Sequence, residues 1–273
     1  MSRKTSVFGI DGKEYESVEL PRIFETPFRP DVIHKAYVNL LSHSFQVQGR
    51  YPLAGEVVSA ESRNTGLGIA RIARAKGEGF VRAGQAAGVA GVRHGRVAHP
   101  PESKKRIYKK INKKEKKLAL CSAIAATTRR DLVERRGHDV GKISNFPVIV
   151  SNEIESISGT KSLYRILESL GIGPDLLRAN LLRNKGSRRT KRRGTHGRSG
   201  ISALLVVGKD NKIQVLSKSI PGVSIKSVQN LSVLDFVPGS KPIRLTIFSE
   251  NALIELKNTQ APINIIEGMI SSN

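Results

Sequence analysis

Between residues 29 and 46 the apolar side chains Ile33, Ala36, Tyr37, Leu40, Leu41 and Phe45 return every three or four positions, with Pro30 and Asp31 placed to start a helix. The pattern predicts an amphipathic helix. A second periodic stretch begins near Ile107, where Leu118, Cys121, Ala125, Leu132 and Val133 trace one face and Lys109, Lys110, Lys113, Lys114, Lys116 and Lys117 crowd the first turns. It predicts one long helix that stops at Gly137. Residues 146–150 form a short apolar run, and Leu163, Ile166, Leu167 and Leu170 then take helical spacing up to Gly171, so a strand is followed by a helix. Residues 201–207, Ile213–Leu216 and 243–248 read as further strands, with Ser249 positioned to cap a final helix. Strands alternating with helices predict an α/β fold with a mostly parallel sheet flanked by helices.

Periodicity vanishes between residues 47 and 101, where ten of the chain's 25 glycines fall. A stretch of that length without structure of its own is unusual inside a compact domain, so it is expected to be disordered or ordered by something else. The predicted organisation is one globular α/β domain, residues 1–47 and 102–273, carrying a long irregular extended loop, residues 48–101.

Charge changes the picture from fold to partner. The 273 residues contain 46 Lys and Arg against 23 Asp and Glu, a formal net charge of +23, and such an excess needs a polyanion. No apolar stretch approaches the roughly 18 residues of a membrane span, and no secretory apolar stretch follows Met1, so a cytoplasmic protein without a membrane partner is expected. The one cysteine, Cys121, cannot form an internal disulfide, and no metal site or cofactor is expected. Within the loop, Arg50, Arg63, Arg71, Arg74, Lys76, Arg82, Arg93 and Arg96 face only Glu56, Glu61 and Glu78. Glycine lets backbone approach a phosphate surface, and single arginines bridge phosphates and stack on bases. Lys104, Lys105, Arg106, Lys109, Lys110 and Lys113 continue the basic character beyond the loop. A third tract, Arg188, Arg189, Lys191, Arg192, Arg193 and Arg198 with His196, contains no acid and lies inside the chain, so its charges are presented in one place.

Patterns that imitate other chemistries fail on context. Gly66-Leu67-Gly68-Ile69-Ala70-Arg71 begins like a dinucleotide fingerprint, but arginine stands at its third glycine. The run from Gly137 through Gly141 and Lys142 is one residue short of a phosphate loop and has Ile143 where a hydroxyl is needed. Residues 76–83, KGEGFVRA, look like the stacking strand of an RNA-recognition motif, yet Glu78 and Ala83 replace two aromatics. No catalytic constellation emerges from His34, His43, His94, His99, His138 and His196, and no serine elbow is present, so the chain is not expected to be an enzyme. An RNA-processing enzyme with a Rossmann-like core and a DNA-binding regulatory protein are the rival readings. The first lacks its constellation and the second lacks a helix-turn-helix, a zinc module or a dimerising heptad.

Residues 55–71 (GEVVSAESRNTGLGIAR), 83–87 (AGQAA), 92–96 (VRHGR) with His99-Pro100-Pro101, 110–115 (KINKKE) and 237–248 (VPGSKPIRLTIF) resemble, in order along nearly the whole chain, the L4 family of large-subunit ribosomal proteins in its archaeal form. The resemblance implies a structural protein of the large subunit that binds ribosomal RNA, supports assembly and neighbours other ribosomal proteins. It implies that the loop runs through RNA, with His94 and His99 among its contacts. It further implies that a tip near Arg71, Arg74, Lys76 and Arg82 faces the nascent chain in the peptide exit tunnel.

Overall fold

In the computed structural model, residues 4–184, 200–208, 213–216, 218–241 and 243–258 are described. They divide into two units, residues 1–41 with 110–273, and Ser42–Lys109.

Three apolar runs build the centre of the first unit. Strands β5 (Val148–Val150), β6 (Leu204–Val207) and β8 (Thr246–Ser249) are buried at every position. Strands covered on both faces show continuous apolar sequence rather than alternation. The six-stranded sheet has the order β2-β1-β5-β8-β6-β7, with β1 at Lys4–Phe8, β2 at Glu14–Glu19 and β7 at Ser224–Ser227. All neighbours are parallel except the β1–β2 pair, with Ile149 opposite Phe248 and Leu205 opposite Ile247. Helices α1 (Pro30–Leu41) and α2 (Lys113–Ala126) cover one face, where Ile33, Ala36 and Ile124 join Ile149, Val206 and Phe248. The other face carries α4 (Thr160–Ser169) and α5 (Gly173–Asn184), whose Leu163, Leu167 and Leu176 pack with Val150, Leu205 and Ile247.

The predicted long helix is two helices. Thr127 Oγ1 donates to the carbonyl of Ile124 at 2.6 Å and Thr128 Oγ1 to that of Ala125 at 2.8 Å, so side chains satisfy the last carbonyls of α2. Arg129 is extended, and α3 (Arg130–Arg136) starts afresh and stops at Gly137, whose φ of 95° suits glycine. Ile213–Leu216 is a helical turn, α6, and not the predicted strand. Ile213 is buried while Val215 is 64% exposed, and Leu216 packs on the core. A strand would put residues 213 and 215 on one face, whereas a helix puts 213 beside 216. Another short helix, α7 (Val233–Phe236), precedes β8, and α8 (Glu250–Asn258) follows it. Ser249 Oγ accepts from the amide of Ala252 at 3.1 Å, the cap the sequence predicts.

The second unit carries short backbone pairing of its own. Strands β3 (Ala60–Ser62) and β4 (Ala73–Ala75) pair antiparallel, and residues 84–87 lie along the other side of β4 through hydrogen bonds from the amides of Ala75, Gly84 and Ala87. Alanines make this ribbon possible because they leave little side chain to bury. Ala75 is its buried apolar residue.

Candidate nucleic-acid interface

The two ends of the second unit are fastened to each other. The His43 ring stacks on Tyr108 with centroids 4.0 Å apart, Lys109 donates its amide to Ser42 Oγ at 2.9 Å, and a His43 ring nitrogen meets the Lys109 carbonyl at 3.0 Å. Further along, Gly55 and Gly95 let two segments pass: a Cβ on Gly55 would stand 2.6 Å from the Gly95 carbonyl oxygen. The contact sets the spacing of the arms that carry Arg50 and Arg96. Arg50 is turned inward to the Ala54 carbonyl at 3.0 Å, and Arg96 lies 3.5 Å from Glu56. Lys76 pairs with Glu61, and Arg74 donates to the Gly84 carbonyl at 3.0 Å. These four hold the ribbon as well as carrying charge.

The remaining loop cations are free. Arg63, Arg71, Arg82 and Arg93 are exposed and have no ion-pair partner among the described residues. His94 and His99 are exposed, and His94 sits at a φ of 60°. Lys104, Lys105, Arg106 and Lys109 are exposed on the closing arm. In the first unit, Lys110, Lys113, Lys114, Lys116 and Lys117 are exposed at or just before the start of α2, where Glu115 is taken by Lys35 at 2.8 Å. Cations at a helix N-terminus oppose the helix dipole, so this crowding works against the isolated fold and suits an external anion.

Arg188, Arg189, Lys191, Arg192, Arg193, His196 and Arg198 lie outside the described residues. The segments flanking them are joined by a buried network that the sequence reading missed. Asp175, fully buried on α5, accepts from Ser202 Oγ at 2.6 Å and from Arg178 at 2.8 Å, and a His138 ring nitrogen meets it at 3.0 Å. Arg178 also donates to the Ile201 carbonyl at 2.7 Å. Burial pushes the Asp175 carboxyl up, but hydrogen bonding and charge from His138, then Arg178 and Ser202, outweigh it and hold it at about 2. Burial holds His138 below its ordinary value, and its second nitrogen accepts from the Leu245 amide at 3.4 Å. Buried Arg244 completes the layer by donating to the carbonyls of Ala203 at 2.9 Å and Gly222 at 2.7 Å. The available signal was Asp175 and Arg178 one helical turn apart beside a basic tract.

Burial pushes the Cys121 thiol up to about 11, which leaves it a packing residue. Among the described residues no group of three or more His, Cys, Asp or Glu is placed to hold a metal ion, and no helix is long and apolar enough to cross a membrane.

Residues 18–259 match the model of the ribosomal protein L4/L1 family. The large ribosomal subunit protein uL4 of Pyrobaculum aerophilum is 41% identical over 261 residues, covering 94% of this chain and 90% of the relative. The proteins of the same name from Methanosphaera stadtmanae and Archaeoglobus fulgidus are 38% and 39% identical, covering 93% and 92% of this chain and 96% of each relative. The matched span takes in both units, from the end of β2 to α8, and with identity of this extent the chain belongs to the ribosomal protein L4/L1 family.

Proposed function

We propose that this protein is a structural, non-catalytic constituent of the large ribosomal subunit in the cytoplasm, where it binds ribosomal RNA and supports subunit assembly. The observation that carries the reading is the second unit: a ribbon with almost no apolar core that displays Arg63, Arg71, Arg82 and Arg93 unpaired among the described residues. Such a surface gains little from folding alone and much from phosphates. Residues 48–101 are its RNA-penetrating element. Arg50, Arg74, Lys76 and Arg96 secure the ribbon and add charge, and His94, His99, Lys104, Lys105, Arg106, Lys109, Lys110 and Lys113 extend the contact along the closing arm and α2. The basic tract from Arg188 to Arg198 supplies a further group of phosphate contacts. The tip near Arg71, Arg74, Lys76 and Arg82 faces the exit tunnel and its nascent chain, while the first unit meets neighbouring ribosomal proteins. The family membership and the names of the relatives support this assignment.

A competition between large-subunit RNA and duplex DNA of equal length tests it. RNA retained against excess duplex, with crosslinks from both the loop and the tract, is expected. Equal displacement by DNA would return the protein to a general polyanion binder, and cleavage of the RNA would make it an enzyme.

A further inference from the structure

The second unit contains a cavity of about 390 Å³, at the small end of the roughly 300 to 1,000 Å³ typical of small-molecule sites. It lies where β4, the turn after it and the 92–95 turn converge. Buried Ala75 with half-buried Ala86 and Ala87 give it a shallow apolar inner wall, since none extends beyond Cβ. Phe80 forms one side and is 47% exposed, a large apolar ring left half open to solvent. The ring lies over Gly77, where a Cβ would come 3.1 Å from Phe80 Cε1, and Gly77 has a φ of 103°. Glycine at 77 therefore makes both the turn and the close seating of the ring.

Lys76, Arg82 and Arg93 line the same cavity as this ring, and no carboxylate lines it. Arg93 and His94 arrive on a tight turn closed by the Gly95 amide donating to the Val92 carbonyl at 3.0 Å. His94 holds a φ of 60° there, and Gly95 has no room for a side chain against the Val89 carbonyl. Backbone held in this sparsely populated region needs a reason, and presentation of two donors at one cavity supplies it.

We propose that this cavity is a single-nucleotide site that takes one unstacked base of the bound RNA on the face of Phe80, with its phosphate held by Arg82 and Arg93. The proposal rests on the RNA-binding reading above and gives it a specific point of contact. A flat aromatic face, a small apolar back wall and flanking cations are what a base and its phosphate need. A stretch of polypeptide brings neither a flat base for the ring nor a phosphate for the two arginines. The RNA-recognition resemblance of residues 76–83 thus fails as a strand, while Phe80 keeps the stacking role on a turn.

The chain has no tryptophan, so Phe80→Trp in the full-length protein is a lone reporter that preserves the ring. Emission is read as large-subunit RNA fragments are added, with complex formation followed independently by filter retention and Tyr15→Trp in the first unit as control. Quenching by more than half in Phe80→Trp, with little change in the control, is expected. Phe80→Leu keeps apolar bulk over Gly77 and should weaken binding about 5- to 100-fold with an unchanged salt slope. Unmoved emission in a complex that filter retention detects would overturn the site and leave the RNA reading standing. Quenching by an unstructured peptide and not by RNA would also overturn it. Absence of any RNA complex with the unsubstituted protein would defeat both readings.

Discussion

Ser202 Oγ donates a 2.6 Å hydrogen bond to Asp175 Oδ2, and the bond joins residues on either side of the basic tract. The described segments before and after residues 185–199 are thereby tied to each other through a buried side chain. Arg178, bonded to both Asp175 and the Ile201 carbonyl, repeats the connection one turn along α5.

Asp175→Ala is expected to cost about 3 kcal/mol, the low end of the range for breaking a buried ion pair because Arg178 is partly open to water. It strands His138, Arg178, Ser202 and the Asp139 amide together. Urea unfolding measures the loss. A change below about 0.5 kcal/mol would mean that water or neighbouring groups replace the carboxylate.

The same network makes stability depend on pH. His138 has a folded pKa below its unfolded value near 6.5, so its contribution is complete above that value and is lost as pH falls below it. Asp175 is also depressed, so its contribution is present above its unfolded value near 3.9 and is lost as pH falls toward about 2. Lowering the pH from 7 to 5 should therefore reduce the urea midpoint. His138→Gln should be less stable by about 1 to 3 kcal/mol at pH 7 and should flatten that dependence. An equal slope in both proteins would assign the titration to another group.

The buried parts of the fold were legible in the sequence. Residues 148–150, 204–207 and 246–249 are continuous apolar runs, α1 and α4 have clean three-to-four spacing, and Ser249 stands where a cap belongs. The β1–β2 hairpin was missed because β2 is an edge strand with glutamates at Glu14, Glu16 and Glu19, so no apolar alternation marks it. β7 has four residues, too few to display a period. The sequence reading does not mark α5, which begins at Gly173 just after the Gly171 stop of α4. The break at Thr127 and Thr128 depends on side chains bonding backbone, and apolar spacing carries no record of that. At the interface, composition revealed the cations but not which are occupied: Lys76 and Arg96 are paired, while Arg82 and Arg93 are free among the described residues.

Replacing residues 48–101 by a short Gly-Ser linker should leave the first unit cooperatively folded. The ring stack of His43 on Tyr108 already holds the two ends together, so a short bridge spans them, and loop closure changes stability by only about 0.6 kcal/mol per doubling of length. A single thermal transition in the deletion checks this. Loss of the transition would mean that the segment contributes to the core.

Substituting Gln for Arg188, Arg189, Lys191, Arg192 and Arg193 should weaken RNA binding and lower the salt slope by about 0.7 to 0.9 for each phosphate no longer neutralised. The thermal midpoint should hold or rise slightly, because like charges crowded in sequence repel in the free protein. Unchanged affinity with a lower midpoint would place the tract in the fold.

Sedimentation of the tagged, full-length protein through a gradient of cell extract asks most directly whether it is a constituent of the large subunit. Near one copy per large subunit, retained through a moderate-salt wash and absent from free small subunits, is the predicted result. A protein that stays at the top of the gradient while large subunits assemble normally without it would contradict the account.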